Sequence, residues 1–224
     1  MTEWEGGAKL VGALVPLVWV GIVAYVVWLL RATLPGIVNR LSGFEALGLK
    51  LNLAANQAMS SAVELAQKHK EWQVAIPQAD QRRAIERAQA QIKLLQGAEV
   101  LWVDDRPSNN RGEVRMLNAF GVAVTTAATT DEAFAALGLA AEQARPFHLI
   151  LSDIGRDLPQ HDPKGGIAML HRLEAEKIKI PLIFYVGRVD PGAPPPAGAF
   201  GITNRPDQLL QLMLDALARV RGPA

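Results

Sequence analysis

The stretch 99–107 constrains the fold of this chain more than any other. An apolar run, Val100-Leu101-Trp102-Val103, ends at once in two adjacent carboxylates, Asp104-Asp105, and is followed by Arg106-Pro107 and the capping group Ser108-Asn109-Asn110. A continuous apolar run of strand length marks a strand buried on both faces, and such burial belongs to parallel sheets covered by helices. Acids at the carboxyl end of that strand stand where open α/β sheets place their sites. The pattern recurs at 148–153, which ends in Asp153, and a third apolar run covers 181–186.

Helix patterns fill the gaps between these runs. Ser108 or Asn109 is expected to cap a helix carrying Val114, Leu117 and Phe120, with Gly121 closing it. A strand over 123–127 follows, and Thr129 with Glu132 forms a capping box that opens the next helix. A helix around Ile167, Leu170 and Leu173, the 181–186 strand, a short strand over 200–203 and a final helix with Leu209, Leu212, Met213, Ala216, Leu217 and Val220 complete the series. Strict βα alternation predicts a mostly parallel five-stranded sheet with right-handed crossovers. One crossover departs from the rule. Pro191, Pro194, Pro195 and Pro196 with Gly192 and Gly198 predict a loop of polyproline character there instead of a helix.

Upstream, residues 10–30 form an uncharged run containing Trp19, Tyr25 and Trp28, flanked by Lys9 and Arg31. Twenty-one residues of helix reach roughly 31 Å, about the thickness of a bilayer core. A transmembrane helix is the expected reading, with a helix buried in a soluble interior as the alternative. A cleaved leader fits poorly, because the run follows the acidic start Glu3-Trp4-Glu5 and ends without a small-residue cleavage site. Arg31, Arg40 and Lys50 beyond the run, against Lys9 before it, put the C-terminal part in the cytoplasm of a single-pass inner or cell-membrane protein.

The segment 32–97 reads as a juxtamembrane stretch and helical linker between the tail and span of 1–31 and an α/β domain over 98–224. Alternating leucines over 47–53 suggest a short edge strand. Ala55, Met59, Ala62, Ala66 and His69, then Ile85, Ala88, Ile92 and Leu95, form two seams of heptad spacing. Each is only about two heptads long. The pair therefore predicts a helical hairpin packed within the chain, with a homodimer through the linker as the alternative. A net charge of +1 gives no sign of nucleic-acid binding, and the absence of cysteine excludes disulfides and thiolate metal sites.

Three carboxylates converging at the sheet edge repel one another, and a hard cation with oxygen ligands relieves that repulsion. Magnesium is the candidate, held by Asp104, Asp105 and Asp153. The competing reading leaves them as residual acids, one paired with Arg106, Arg156 or Arg205.

Taken in order, Val100–Pro107, Leu149-Ile150-Leu151-Ser152-Asp153 and Arg205-Pro206 resemble the receiver domain of bacterial response regulators, over about residues 98 to 221. The resemblance implies a flavodoxin-like, doubly wound strand order and a non-enzymatic role in two-component phosphorelay signalling, with a histidine kinase or other protein as partner. It makes Asp153 the phosphate acceptor, Asp104 and Asp105 the metal pair, Gly155 the backbone-carbonyl ligand, and Arg205 the counterpart of the lysine that neutralises the phosphoryl group. Arginine keeps that charge in a bulkier, planar form. Two departures bear on the chemistry. Val186 stands where the family has a hydroxyl residue, and Ile202 where it has an aromatic switch residue. A pseudo-receiver adaptor without phosphotransfer is therefore the main alternative to a working receiver. An enzyme acting on a small phosphorylated or nucleotide-like ligand is a third.

Overall fold

The computed structural model describes residues 54, 56–67, 75–157, 161–190 and 194–222. The expected span over 10–30 and the strand over 47–53 lie outside these residues. Among the described residues no helix is long and apolar enough to cross a membrane.

A helix over 56–67, α1, is followed by α2 (Gln78–Ala90) and the short α3 (Ile92–Leu95). The α/β series then runs β1 (Glu99–Val103), a 3-10 turn (Pro107–Asn110), α4 (Arg111–Ala119), β2 (Ala123–Ala127), α5 (Thr130–Glu142), β3 (Leu149–Ser152), α6 (Gly165–Ala175), β4 (Leu182–Tyr185), β5 (Gly201–Thr203) and α7 (Pro206–Arg221). All pairings are parallel, in the order β2-β1-β3-β4-β5. This is the flavodoxin-like order, with its reversal between β1 and β3. Every residue of β3 and β4, and four of the five in β1, are buried, as their unbroken apolar runs require.

The sheet divides the apolar interior in two. One face packs α5 and α6 over Leu101, Val103, Ile150, Leu182 and Phe184. The other packs α4 and α7 over Val100, Trp102, Leu149, Leu151, Ile183 and Tyr185, and this core continues outward into α1, α2 and α3. The two expected seams are used there. Met59, Ala62, Ala66, Ile85 and Ala88 are all buried within this chain, so these residues are not left for a dimer. The described part of the expected linker shares a core with the sheet and belongs to the same compact unit. Gly112 on α4 permits a close approach of α1, since a Cβ there would lie 2.8 Å from the Cα of Ala62.

Local chemistry follows the sequence at one helix start and departs from it at another. Thr129 accepts a hydrogen bond from the Glu132 amide at 3.1 Å, and the Glu132 carboxylate accepts from the Ala128 amide at 2.7 Å, one residue earlier than in the standard box. Ahead of α4, neither Ser108 nor Asn109 is the cap. A 3-10 turn absorbs them, and Asn110, which precedes α4, turns its side chain toward Asp104. Between β4 and β5 no helix forms among the described residues, in keeping with the prolines.

Candidate functional site

The site is built where β1 and β3 end side by side. Asp104 extends the β1 ladder by donating its amide to the Ala127 carbonyl, and the Asp153 amide donates to the Val103 carbonyl, each at 3.0 Å. The two acids therefore emerge from neighbouring strands, as the sequence predicts. Behind them, α6 begins against the Asp153 loop. The Gly166 amide donates to the Ile154 carbonyl at 2.9 Å, and a Cβ at Gly166 would lie 2.2 Å from the Asp153 carbonyl oxygen. Only glycine lets the helix approach that closely.

The carboxylates are already engaged by the loops that carry them. Asp104 Oδ1 accepts from the Arg106 amide and Oδ2 from the Asn110 side-chain amide, both at 2.6 Å, and the residue is buried. Asp105 Oδ2 accepts from the Asp157 amide at 2.9 Å. Asp153 Oδ1 accepts from the Ile154 amide at 2.7 Å. Burial, and then the negative charge of Asp104, push the Asp153 carboxyl up to about 6, with Asp105 adding to the rise and Arg156 opposing it.

Magnesium is usually held by one or two carboxylates, with waters and other oxygens filling its remaining positions. Among the described residues, no three His, Asp or Glu side chains are arranged to hold a metal ion. Asp104, Asp105 and Asp153 come to the same sheet edge and are coupled through their charges. Gly155 lies two residues beyond Asp153, as the resemblance requires.

Arg205 is committed elsewhere. Its guanidinium grips Asp207 through Nε at 3.1 Å and Nη2 at 2.7 Å, and Nη2 also reaches Asp80 on α2 at 2.8 Å. These bonds to Asp207, together with that to Asp80, hold the guanidinium pKa above its ordinary value. The expected neutraliser of a phosphoryl group instead clamps α2 to the start of α7.

A further buried cation, Arg156, lies three residues past Asp153 and is only 5% exposed. Its guanidinium donates to the Thr130 hydroxyl at 2.6 Å and the Ser152 hydroxyl at 3.0 Å, with the Met169 sulfur at 3.7 Å. Burial lowers its pKa, while Asp153, Asp162, Asp104 and Asp105, in that order, raise it. In the sequence it is one of three arginines that could pair with an acid, and nothing local distinguishes it.

A further buried acid is Glu113 of α4. Its Oε1 accepts the Tyr185 hydroxyl at 2.8 Å, while Oε2 has no hydrogen-bond partner. Burial pushes its carboxyl up to about 7, against the lowering by its own backbone and by Tyr185, with a smaller rise from Asp104. Tyr185 in turn packs edge-on against Trp102, with 5.6 Å between ring centroids.

The strand order and the acids at the ends of β1 and β3 define an α/β protein of flavodoxin-like topology with a carboxylate-lined edge. No protein-family model matches the chain, and no curated protein is similar to it. Solved structures similar to it include response regulators and receiver domains. The chemotaxis response regulator CheY4 of Vibrio cholerae is 26% identical with a TM-score of 0.38, covering 55% of this chain and 98% of its own. A response regulator receiver domain of Clostridium thermocellum is 18% identical with a TM-score of 0.44, covering 55% and 97%. The anti-anti-sigma factor PhyR of Bartonella quintana is 26% identical with a TM-score of 0.44, covering 62% and 55%.

Proposed function

We propose that this chain is a receiver-like signalling module that works through contact with a partner protein and has set aside metal-dependent phosphotransfer. The capture of Arg205 by Asp207 and Asp80 carries this reading, because it removes the cation a phosphoryl group on Asp153 would need. The apolar Val186 agrees with it, as does the hold of its own loop on both oxygens of Asp104. A phosphate-accepting Asp153 is the rival, favoured by its placement beside Asp104 and Asp105. The partner class that the resemblance implies is a histidine kinase or another signalling protein. We further propose that residues 10–30 anchor the protein in the membrane with the α/β unit in the cytoplasm, on the strength of their length and basic flank.

The test is hydrogen exchange with magnesium and beryllofluoride, a phosphoryl mimic. Val186 has no hydroxyl to follow the mimic and Ile202 no ring to turn, so no differential contact exists to shift an equilibrium. Exchange across α7 should stay unchanged. Protection spreading from Asp153 to α7 would establish a working receiver and overturn the proposal.

A further inference from the structure

We propose that the open edge of β2 is a self-association surface, which pairs with the β2 of a second copy of this chain about a twofold axis at Thr125. Such pairing is independent of whether Asp153 accepts phosphate.

The two edges of the sheet differ. At one edge, β5 is only 3 residues long and follows the prolines of 194–196, and both features discourage pairing. At the other, β2 has 5 residues, and the segment 121–130 contains neither charge nor proline. Ala123, Thr125 and Thr126 are exposed, and among the described residues no strand pairs with β2 on the side away from β1. An unblunted edge of this kind is a template for another strand. The Ala123 amide donates to the Ala98 carbonyl at 2.8 Å, and the Ala127 carbonyl accepts the Asp104 amide at 3.0 Å. Ala123, Thr125 and Ala127 therefore turn their backbone groups toward β1, and Val124 and Thr126 turn theirs outward.

Antiparallel pairing of this edge with itself satisfies those outward groups. About an axis at Thr125, Val124 faces the partner's Thr126 and Thr126 faces the partner's Val124, and each facing pair exchanges both of its hydrogen bonds. The two Thr125 side chains meet at the centre as a favourable cross-strand pair. Because the same patch is used on both copies, the contact closes on itself and covers both edges at once.

The surroundings suit the same axis. On the α5 face a groove of about 200 Å³ runs beside Thr125 along Ala136, Leu139, Ala140 and Phe147. Leu139 is 55% exposed there, and α5 carries no polar side chain from 133 to 141. Exposed charge is complementary as well. Glu99 lies opposite Ala123 in the ladder, and the Arg145 that pairs with it reaches outward with 68% of its side chain exposed. Asp131, 94% exposed, and Glu132 open α5 just past the other end of β2. Antiparallel pairing lays the end that carries Arg145 in one copy against the end that carries these acids in the other.

The chain has no cysteine, so a single introduced thiol reports its own neighbours. The experiment uses the full-length protein in mild detergent, with oxidative cross-linking, protein mass by light scattering, and amide exchange. Thr125→Cys should give a disulfide-linked dimer, because residues facing on the axis stand about 4.5 Å apart at Cα, within disulfide reach. Ala123→Cys lies roughly 13 Å from its own copy along the seam and should not cross-link. Wild type should have the mass of a dimer, with the Val124 and Thr126 amides protected. Thr125→Lys sets like charges opposite each other at an exposed position, and should halve the mass and remove that protection. If Thr125→Lys fails to fold, the two cysteine variants decide alone. Equal cross-linking of those two variants, a dimer that survives Thr125→Lys, or a monomeric wild type would overturn the proposal. Protected Val124 and Thr126 amides in a monomer would assign the edge to another segment of the same chain, and would overturn it too.

Discussion

Replacing Glu113 should change how stability depends on pH. The residue is 1% exposed, with one carboxylate oxygen on the Tyr185 hydroxyl and the other without a partner. Its carboxyl moves from an ordinary 4.5 to about 7 on folding. Between those values the folded state holds a proton that the unfolded state has released, so ν_U is smaller than ν_N and stability falls as pH rises. The contribution is fully retained below about 4.5, is lost progressively toward about 7, and is flat above that. The rise from 4.5 to about 7 corresponds to about 3 kcal/mol. Glu113→Gln mimics the protonated form and still accepts the tyrosine proton, but leaves a buried amide N–H unpaired at a cost of about 1–3 kcal/mol. The variant should therefore be less stable than wild type at pH about 5, and level with it or more stable at pH about 9. Urea denaturation at several pH values measures both. Asp153 adds a slope of the same sign in both proteins, so the difference between the two curves isolates Glu113. Parallel curves would refute the burial argument.

Other consequences follow from the packing. Arg205→Met should cost about 1–3 kcal/mol, because Asp207 is 2% exposed and loses its ionic partner. Amide exchange in α2 should rise with it, and unchanged exchange there would separate α2 from the clamp. Gly112→Val would drive a side chain into the Cα of Ala62 and should cost about 1–3 kcal/mol of melting stability, with faster proteolysis of α1. In membrane fractions, residues 10–30 should hold the protein through a high-salt wash and release it only to detergent. Release by salt alone would remove the anchor.

The sheet was legible because its signals are local. Apolar runs at 100–103, 149–151 and 182–185 have the length and turn-signal flanks of strands buried on both faces, and helix patterns between them impose parallel crossovers. The acids at strand ends were legible for the same reason, since Asp104 and Asp153 occupy their places by chain position alone. What escaped was decided by partners far away in sequence. Arg205 looks available until Asp80, 125 residues upstream, is brought beside it by the docking of α2 on α7. Glu113 looks like a surface acid until Tyr185, 72 residues on, supplies its hydrogen bond. A signal for it did exist, because Met116 and Leu117 at i+3 and i+4 put Glu113 on the buried stripe of α4. The packing of α1 and α2 within the chain was favoured by the shortness of their seams, but nothing in the heptads identifies Gly112 as the point of contact.

The central claim is that the acid edge no longer accepts phosphate, and intact-mass measurement tests it most directly. The full-length protein is incubated with magnesium and a small-molecule phosphodonor such as acetyl phosphate. An unchanged mass is the expected result, because Arg205 is held by Asp207 and Asp80 and both oxygens of Asp104 are engaged by its own loop. The gain of one phosphoryl group, abolished by Asp153→Asn, would contradict it.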